Sequence, residues 1–192
     1  MPSIYLIRHE EPEMRGRFIG RTDPPLTAQG REAAAKLRTV DAKAVYVSPL
    51  RRARQTAEAI ECATPHIVLP ELAEIDFGAW EGLSWQEVED RWPGAAVRKI
   101  EDWLGVAPPG GESWADFNAR LETALEQVLA GPMPAAIVAH MVVNAALAER
   151  LTGADPKCFR QQYGEITICE YSVEHTAGRE SRALDSNRET VG

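Results

Sequence analysis

Long apolar runs are missing from this chain of 192 residues. The most apolar segment, Ala135 to Ala148, is interrupted by His140 and Asn144, which argues against a membrane-spanning helix. The start, MPSIYLIRHEEPE, has neither a basic leader nor an apolar stretch of signal-peptide length, so no secretory signal is expected there. Cysteine is scarce: Cys62, Cys158 and Cys169 make an odd number with no C-x-x-C spacing. That count points away from a disulfide framework or a cysteine-bound metal and towards unpaired thiols, buried or inert, in a reducing compartment such as the cytoplasm. Also missing are a G-x-x-x-x-G-K-[ST] phosphate loop, a G-x-S-x-G nucleophile elbow and an H-E-x-x-H zinc motif. No internal repeat or low-complexity tract is evident.

Positive charge is in deficit too. The net charge of −8 disfavours nucleic acid and anionic membranes as partners. The imbalance is uneven, however: residues 1–60 carry +4 and residues 61–192 carry −12, so a small anion would be drawn to the first third. With 44% hydrophobic and 26% charged residues, the composition is that of a globular protein of one domain, 1–192.

The apolar patterning alternates short runs with helical spacings. Ser3 to Ile7 reads as a strand, 11–25 as a loop, and Thr27 as the cap of a helix reaching about Val40. Ala44 to Val47 is a second strand. Ser48-Pro49 is expected to cap a helix from Arg51 to Glu61, and His66 to Leu69 to form a third strand. Two short helices split near Pro93-Gly94 fill a tryptophan-bearing stretch, a helical cover at about 83–112. Ser113 with Asp116 caps a helix to about Ala130, and Ala135 to Ala139 is a fourth strand feeding a helix that stops near Thr152-Gly153. Ile166 to Val173 and Ser181 to Leu184 are expected to add a final strand pair, with a frayed tail after about 186. Such alternation predicts an α/β fold, a mostly parallel sheet with helices on both faces.

Ligands of such sheets gather beyond the carboxyl ends of the strands. Arg8 and His9 end the first strand, Ser48 the second with Arg52 in the following turn, and His140 the fourth. Three distant segments thus deliver two arginines and two histidines to one sheet edge. His66 and His175 fall elsewhere and read as surface groups.

These pieces, LIRHEEP at 6–12, GRFIGRTDPPLTAQG at 16–30, VSPLRRARQTA at 47–57, ELAEIDFGAWEG at 71–82, PPGGES at 108–113 and VAHMVVNAAL at 138–147, follow one another in a known order. The chain resembles the histidine phosphatase superfamily, or phosphoglycerate mutase-like proteins, and within it the α-ribazole phosphatase and broad-specificity branches. The resemblance implies a three-layer α/β/α sandwich and phosphoryl transfer through a phosphohistidine. It makes His9 the nucleophile, Arg8, Arg52 and His140 its phosphate-holding partners and Glu74 the general acid, with Glu11 and Glu81 as rival donors. Arg17, Gly20 (through its backbone N–H), Arg21 and Met141 are further candidate substrate contacts. No cofactor or metal is implied, because arginines and histidines supply the positive charge.

Physical chemistry agrees with these roles: a phosphate ester needs cations and fixed donors, and an imidazole attacks only when neutral. The chain departs from the family pattern at Glu10, where glycine is usual, at Met141, and at Ile19 where mutases carry a hydroxyl residue. A Glu10 carboxylate about 4 Å from a phosphate charge would repel it by about 4 kcal/mol at an effective dielectric near 20, so the side chain is expected to point away or to pair with Arg15, Arg17 or Arg21. The expected activity is hydrolysis of a small phosphate monoester. Phosphoglycerate mutase-type transfer and a catalytically impaired phosphate-binding or regulatory protein are the alternatives. A homodimer is compatible with the sequence, and oligomeric state stays open.

Overall fold

The computed structural model describes residues 3–37, 40–62 and 64–170. They form one five-stranded sheet. β1 (Ser3–Arg8) lies between β4 (Ala135–Ala139) and β5 (Ile166–Glu170), while β2 (Ala44–Val47) lies between β4 and the two-residue β3 (Ile67–Val68). All pairings are parallel except that of β5 with β1. The central strand β4, AAIVA, is buried along its whole length, as a parallel strand covered on both faces must be.

Alternate residues of each strand face opposite layers. Ile4, Leu6, Tyr46 and Ile137 join a core closed by α5 (Trp114–Ala130) and α6 (Met141–Thr152). Ile7, Val45, Val47, Ala136 and Val138 face the other way, onto Ala53 and Ala57 of α2 (Arg51–Ala57), against which α1 (Ala28–Ala34) packs. The result is a three-layer α/β/α sandwich. Its register aligns Arg8 with Ala139 and Val47 with Val138, so β1, β2 and β4 end level with one another. The residues that leave the sheet there are His9, Ser48 and His140.

Two helices are shorter than their patterns predict. α1 is capped by Thr27 Oγ1, which accepts from Gly30 N at 2.8 Å, but it ends at Ala34 rather than near Val40. Lys36 and Leu37 donate to carbonyls three residues back, a tightened turn that lets Val40 come back to the core. α2 begins after Leu50, not Ser48, and ends at Ala57 rather than Glu61 through the same kind of bonds at Ala59 and Ile60. Ser48 is kept from a simple cap by a second partner described below. The expected extension of β5 to Val173, the strand at Ser181 to Leu184 and His175 lie outside the described residues.

The stretch 84–101 folds as two helices, α3 (Trp85–Arg91) with a Ser84–Glu87 capping box and α4 (Pro93–Glu101) opened by proline. They close a separate cluster on Trp80, Val88 and Ala96, joined by Phe18, Phe77, Trp85 and Trp92. α5 is capped by Ser113, whose Oγ accepts from Asp116 N at 3.0 Å, and α6 stops at left-handed Gly153. All three cysteines are unpaired; Cys169 is buried and Cys158 is exposed. No helix of the described residues is long and apolar enough to cross a membrane.

Trp80 is fully buried at the centre of that second cluster. Trp80→Ala is expected to cost about 3–5 kcal/mol in urea unfolding, an effect visible in the denaturation midpoint at an unchanged slope.

Candidate active site

His9 follows β1 directly and its backbone N–H bonds Ala139 O at 3.0 Å, which carries the sheet ladder one residue further. The ring is buried, with Nδ1 2.7 Å from Glu10 O. A carbonyl only accepts, so Nδ1 carries the proton and the lone pair sits on Nε2. Burial, and then the charge of Arg52, hold the His9 pKa down to about 3; the Glu10 carbonyl opposes this and Arg8 reinforces it. The imidazole is therefore neutral across the physiological range, with its unprotonated nitrogen fixed in direction by its own chain.

His140 caps α6 and is fully buried, its ring centroid 5.1 Å from that of His9 at an interplanar angle of 60°. Nε2 lies 2.7 Å from Ser48 Oγ, which also accepts from Leu50 N at 3.3 Å. Ser48 Oγ–H can donate to Nε2, and that tautomer carries the ring proton on Nδ1. Burial first, then Arg52 and His9, lower the His140 pKa well below the ordinary imidazole value, so this ring too is neutral.

Arg52 is completely buried. Its NH1 donates to Thr22 O at 2.9 Å, its NH2 to Ile19 O at 2.8 Å and Gly20 O at 3.1 Å, and Asp23 Oδ1 stands 4.0 Å away. Arg8 donates through NH1 to Gln161 O at 2.6 Å and lies 4.2 Å over the ring of Tyr163. Both terminal nitrogens of Arg52 and NH1 of Arg8 hold protein, while Nε of each arginine has no hydrogen-bond partner among the described residues, and the same is true of His140 Nδ1. Three buried donors thus belong to the residues around His9. Unpaired buried N–H groups are costly unless they serve a ligand, and a tetrahedral oxyanion is what such a set of donors and charges can hold.

Glu74 is buried beside them. Oε1 accepts from Ile75 N at 3.0 Å and Oε2 from Val142 N at 3.2 Å. Burial raises its pKa, outweighing those two bonds and the attraction of Arg52 and Arg120, so the carboxyl group keeps its proton to higher pH than an exposed glutamate. The rival acids are engaged elsewhere. Glu11 pairs with Arg15 at 2.9 Å. Glu81 accepts from Arg21 N at 2.8 Å, Thr22 N at 2.9 Å, Thr22 Oγ1 at 2.5 Å and Phe77 N at 3.1 Å, and so serves as an anchor for the loop that holds Arg52.

The other expected contacts divide. Arg17 is spent on Gly82 O at 2.7 Å and Glu87 Oε2 at 2.9 Å, bracing the cover, and Arg21 leans on Glu112 at 3.8 Å; neither guanidinium is among the groups that act on His9. Gly20 serves the site through its carbonyl, and a Cβ on it would lie 2.0 Å from Ile75 O. Met141 opens α6 and is half-buried. Glu10 pairs with none of Arg15, Arg17 and Arg21, whose carboxylate partners are Glu11, Glu87 and Glu112. Its Oε1 instead occupies the space where a Cβ on Gly164 would sit, 1.9 Å away.

Several contributors were not foreseen. Tyr163 stacks on Arg8 and stands 5.8 Å from the His9 ring. Buried Gln161 ties the loop before β5 to Leu6 O, Glu165 O and Asn144, and so presents its own carbonyl to Arg8. Thr56 Oγ1 accepts from Glu10 N at 2.9 Å and fixes the residue that orients His9. Arg120 joins Glu112 and the carbonyls of Glu71, Ala73 and Glu74, fastening the segment of the buried acid. Only Thr56 had a local sequence signal, its place in the RRARQTA run. Among the described residues no group of three or more His, Cys, Asp and Glu is placed to hold a metal ion.

Against known proteins, the family model of the histidine phosphatase superfamily (branch 1) matches residues 4–182. Phosphoserine phosphatase 1 of Hydrogenobacter thermophilus is 32% identical over 97% of this chain and 92% of that protein. A bifunctional protein of Mycobacterium tuberculosis is 36% identical over 67% of this chain, and the match spans only 37% of that longer protein's length. Among solved structures, the α-ribazole phosphatase of Shigella flexneri superposes with a TM-score of 0.78 at 28% identity, covering 90% of this chain and 92% of that one.

Orthovanadate, a phosphate mimic, at about 100 times its dissociation constant should stabilise the protein by about 2.7 kcal/mol, read as a thermal shift of about 5–10 °C. Arg52→Lys should erase most of that shift, because an ammonium cannot hold three carbonyls and still present a donor.

Proposed function

The chain belongs to the histidine phosphatase superfamily, and from that premise we propose that it hydrolyses a small-molecule phosphate monoester through a phosphohistidine on His9. The observation that carries this reading is the His9 ring itself: neutral, with Nδ1 held by Glu10 O and Nε2 free. In the first step the Nε2 lone pair attacks phosphorus, the bond to the alcohol oxygen breaks in line, and the departing oxygen takes the proton of Glu74. The phosphoryl oxygens are held by Arg8, Arg52 and His140 Nδ1, and the positive charge gathering on the ring is eased by the Nδ1–H bond to Glu10 O. In the second step the Glu74 carboxylate takes a proton from water, the water oxygen attacks phosphorus, and the N–P bond breaks to return neutral His9 and release phosphate. The positive charge comes from arginines and no step is routed through a metal.

Hydrolysis is favoured over transfer because the cover is small, two helices of seven and nine residues, so water can enter once the alcohol has left. The similarity to a phosphoserine phosphatase along 97% of the chain supports the same choice. We place the enzyme in the cytoplasm, consistent with three unpaired thiols.

His9→Ala is expected to lower kcat for 4-nitrophenyl phosphate by at least about a thousandfold, and wild type quenched in alkaline detergent to retain base-stable, acid-labile phosphate on His9. A folded wild type no faster than His9→Ala overturns the reading, and isomerisation of 3-phosphoglycerate in place of phosphate release makes the protein a mutase. Glu74→Gln is expected to slow alkyl esters about 10²–10⁴-fold but activated aryl esters far less, since only poor leaving groups need the proton. The acid form of Glu74 is the active one in the first step, so the alkyl-to-aryl rate ratio should fall as pH rises through its elevated pKa. His9, neutral above about 3, adds no limb in that range. A ratio independent of pH assigns the proton to another group.

A further inference from the structure

We propose that a cavity at the start of α6, walled by Trp103, Leu104, Met141, Val142, Ala145 and Phe159, receives the alcohol part of the substrate, and that this part is apolar. The substrate class is then a phosphate monoester of an alkyl or aryl-alkyl alcohol. The inference rests on the hydrolytic reading of His9 and Glu74 and adds to it what the leaving group is.

Position is the first argument. The alcohol oxygen must depart within hydrogen-bond reach of the Glu74 carboxyl group, and the N–H that holds Glu74 Oε2, at 3.2 Å, is that of Val142, itself part of the cavity wall. Met141, the residue after His140, lines the same wall, and Ala145 continues it one helical turn further along α6. The leaving group thus has one face of α6 to lie against as it extends from phosphorus.

Chemistry is the second. The cavity measures about 350 Å³, within the range of small-molecule sites. No carboxylate, amide or hydroxyl side chain lines it; its charged residues are Lys157 and Arg160. Lys157 Nζ is 3.5 Å from Asp102, and Arg160 NH1 bonds the carbonyls of Lys157 and Phe159. A sugar or glycerol chain would find no side-chain acceptor there and only Lys157 and Arg160 as donors, so most of its hydroxyls would lose water without a partner, whereas methylene and aromatic groups would gain by leaving water.

Rigidity is the third. Trp103 is set by Phe18 and Trp85, with ring centroids at 6.4 and 6.0 Å, and Lys99 Nζ stands 5.2 Å from its ring. Phe159 packs on the main core. The adaptable wall is Met141, where the family pattern has glycine, and its unbranched thioether can follow chains of different length.

The test is a series of n-alkyl phosphates from ethyl to hexyl, in which leaving-group basicity hardly changes. kcat/KM should rise about fourfold per methylene until the cavity is filled, about 15-fold from ethyl to butyl. Leu104→Asp, and independently Met141→Asn, should reduce the butyl-to-ethyl ratio to below about 3. Turnover of the whole series with a flat kcat/KM overturns the pocket while leaving the hydrolytic reading intact. If none of the esters is turned over, tryptophan fluorescence titration with the same compounds decides. Dissociation constants that tighten with chain length keep the pocket and discard hydrolysis, and constants that do not tighten discard both.

Discussion

A guanidinium with no access to water organises the strand-end region. Arg52 enters from the first turn of α2 and is completely buried, and a charge in that position is tolerable only if its donors are met. Three carbonyls, those of Ile19, Gly20 and Thr22, meet its terminal nitrogens and leave only Nε without a partner among the described residues, so the loop after β1 is obliged to wrap around the arginine. That loop must itself be held. Glu81 does so by accepting from the backbone N–H groups of Arg21, Thr22 and Phe77. Gly20 lets the loop approach Ile75, the neighbour of Glu74, where any side chain would collide. One buried cation thereby couples the strand that ends at His9, the loop and the segment of Glu74.

The same burial sets the protonation states. Removing His9, His140 and Glu74 from water favours the uncharged form of each, and the two arginines push the histidines further in that direction. For Glu74 the arginines act the other way, and desolvation is still the larger influence. The balance leaves the two arginines as the positive charges beside His9. In the proposed reaction both proton inventories are then right at the start: a lone pair on the attacking nitrogen and a proton on the departing side. A more exposed glutamate would ionise earlier and a more exposed histidine would protonate, so the sandwich core below the site is as much a part of the chemistry as the side chains are.

Much of this was legible in the chain. Ser3 to Ile7, Ala44 to Val47 and Ala135 to Ala139 are apolar runs too short for helices and ended by polar residues, and parallel pairing puts those ends on one edge. His9, Arg52 and His140 could therefore be brought together from sequence. Helix ends could not, because the stop at Ala34 and at Ala57 is made by three-residue hydrogen bonds that apolar periodicity does not encode. Arginine partners were not legible where only the sign of charge was visible. Arg17 and Arg21 have carboxylate neighbours, Glu87 and Glu112, that lie far away in sequence. The partners of Arg8, Gln161 and Tyr163, come from the loop before β5, more than 150 residues on, and carry no motif.

Glu10 shows how a departure from the family pattern is accommodated. Its two backbone groups both serve the site: the carbonyl fixes the His9 tautomer and the N–H is taken by Thr56. A carboxylate aimed at the cradle would oppose a bound phosphate by about 4 kcal/mol for each charge pair at about 4 Å. The side chain instead fills the space beside Gly164, a residue at φ +68 with no Cβ to obstruct it. The charges that act on His9 are accordingly those of Arg52 and Arg8. A residue with a Cβ at 164 would collide with that carboxylate, so the Glu10 side chain would have to leave this space. The glutamate at 10 and the glycine at 164 thus form a single structural solution, in which the glycine expected after the nucleophile has its counterpart on the loop across from it.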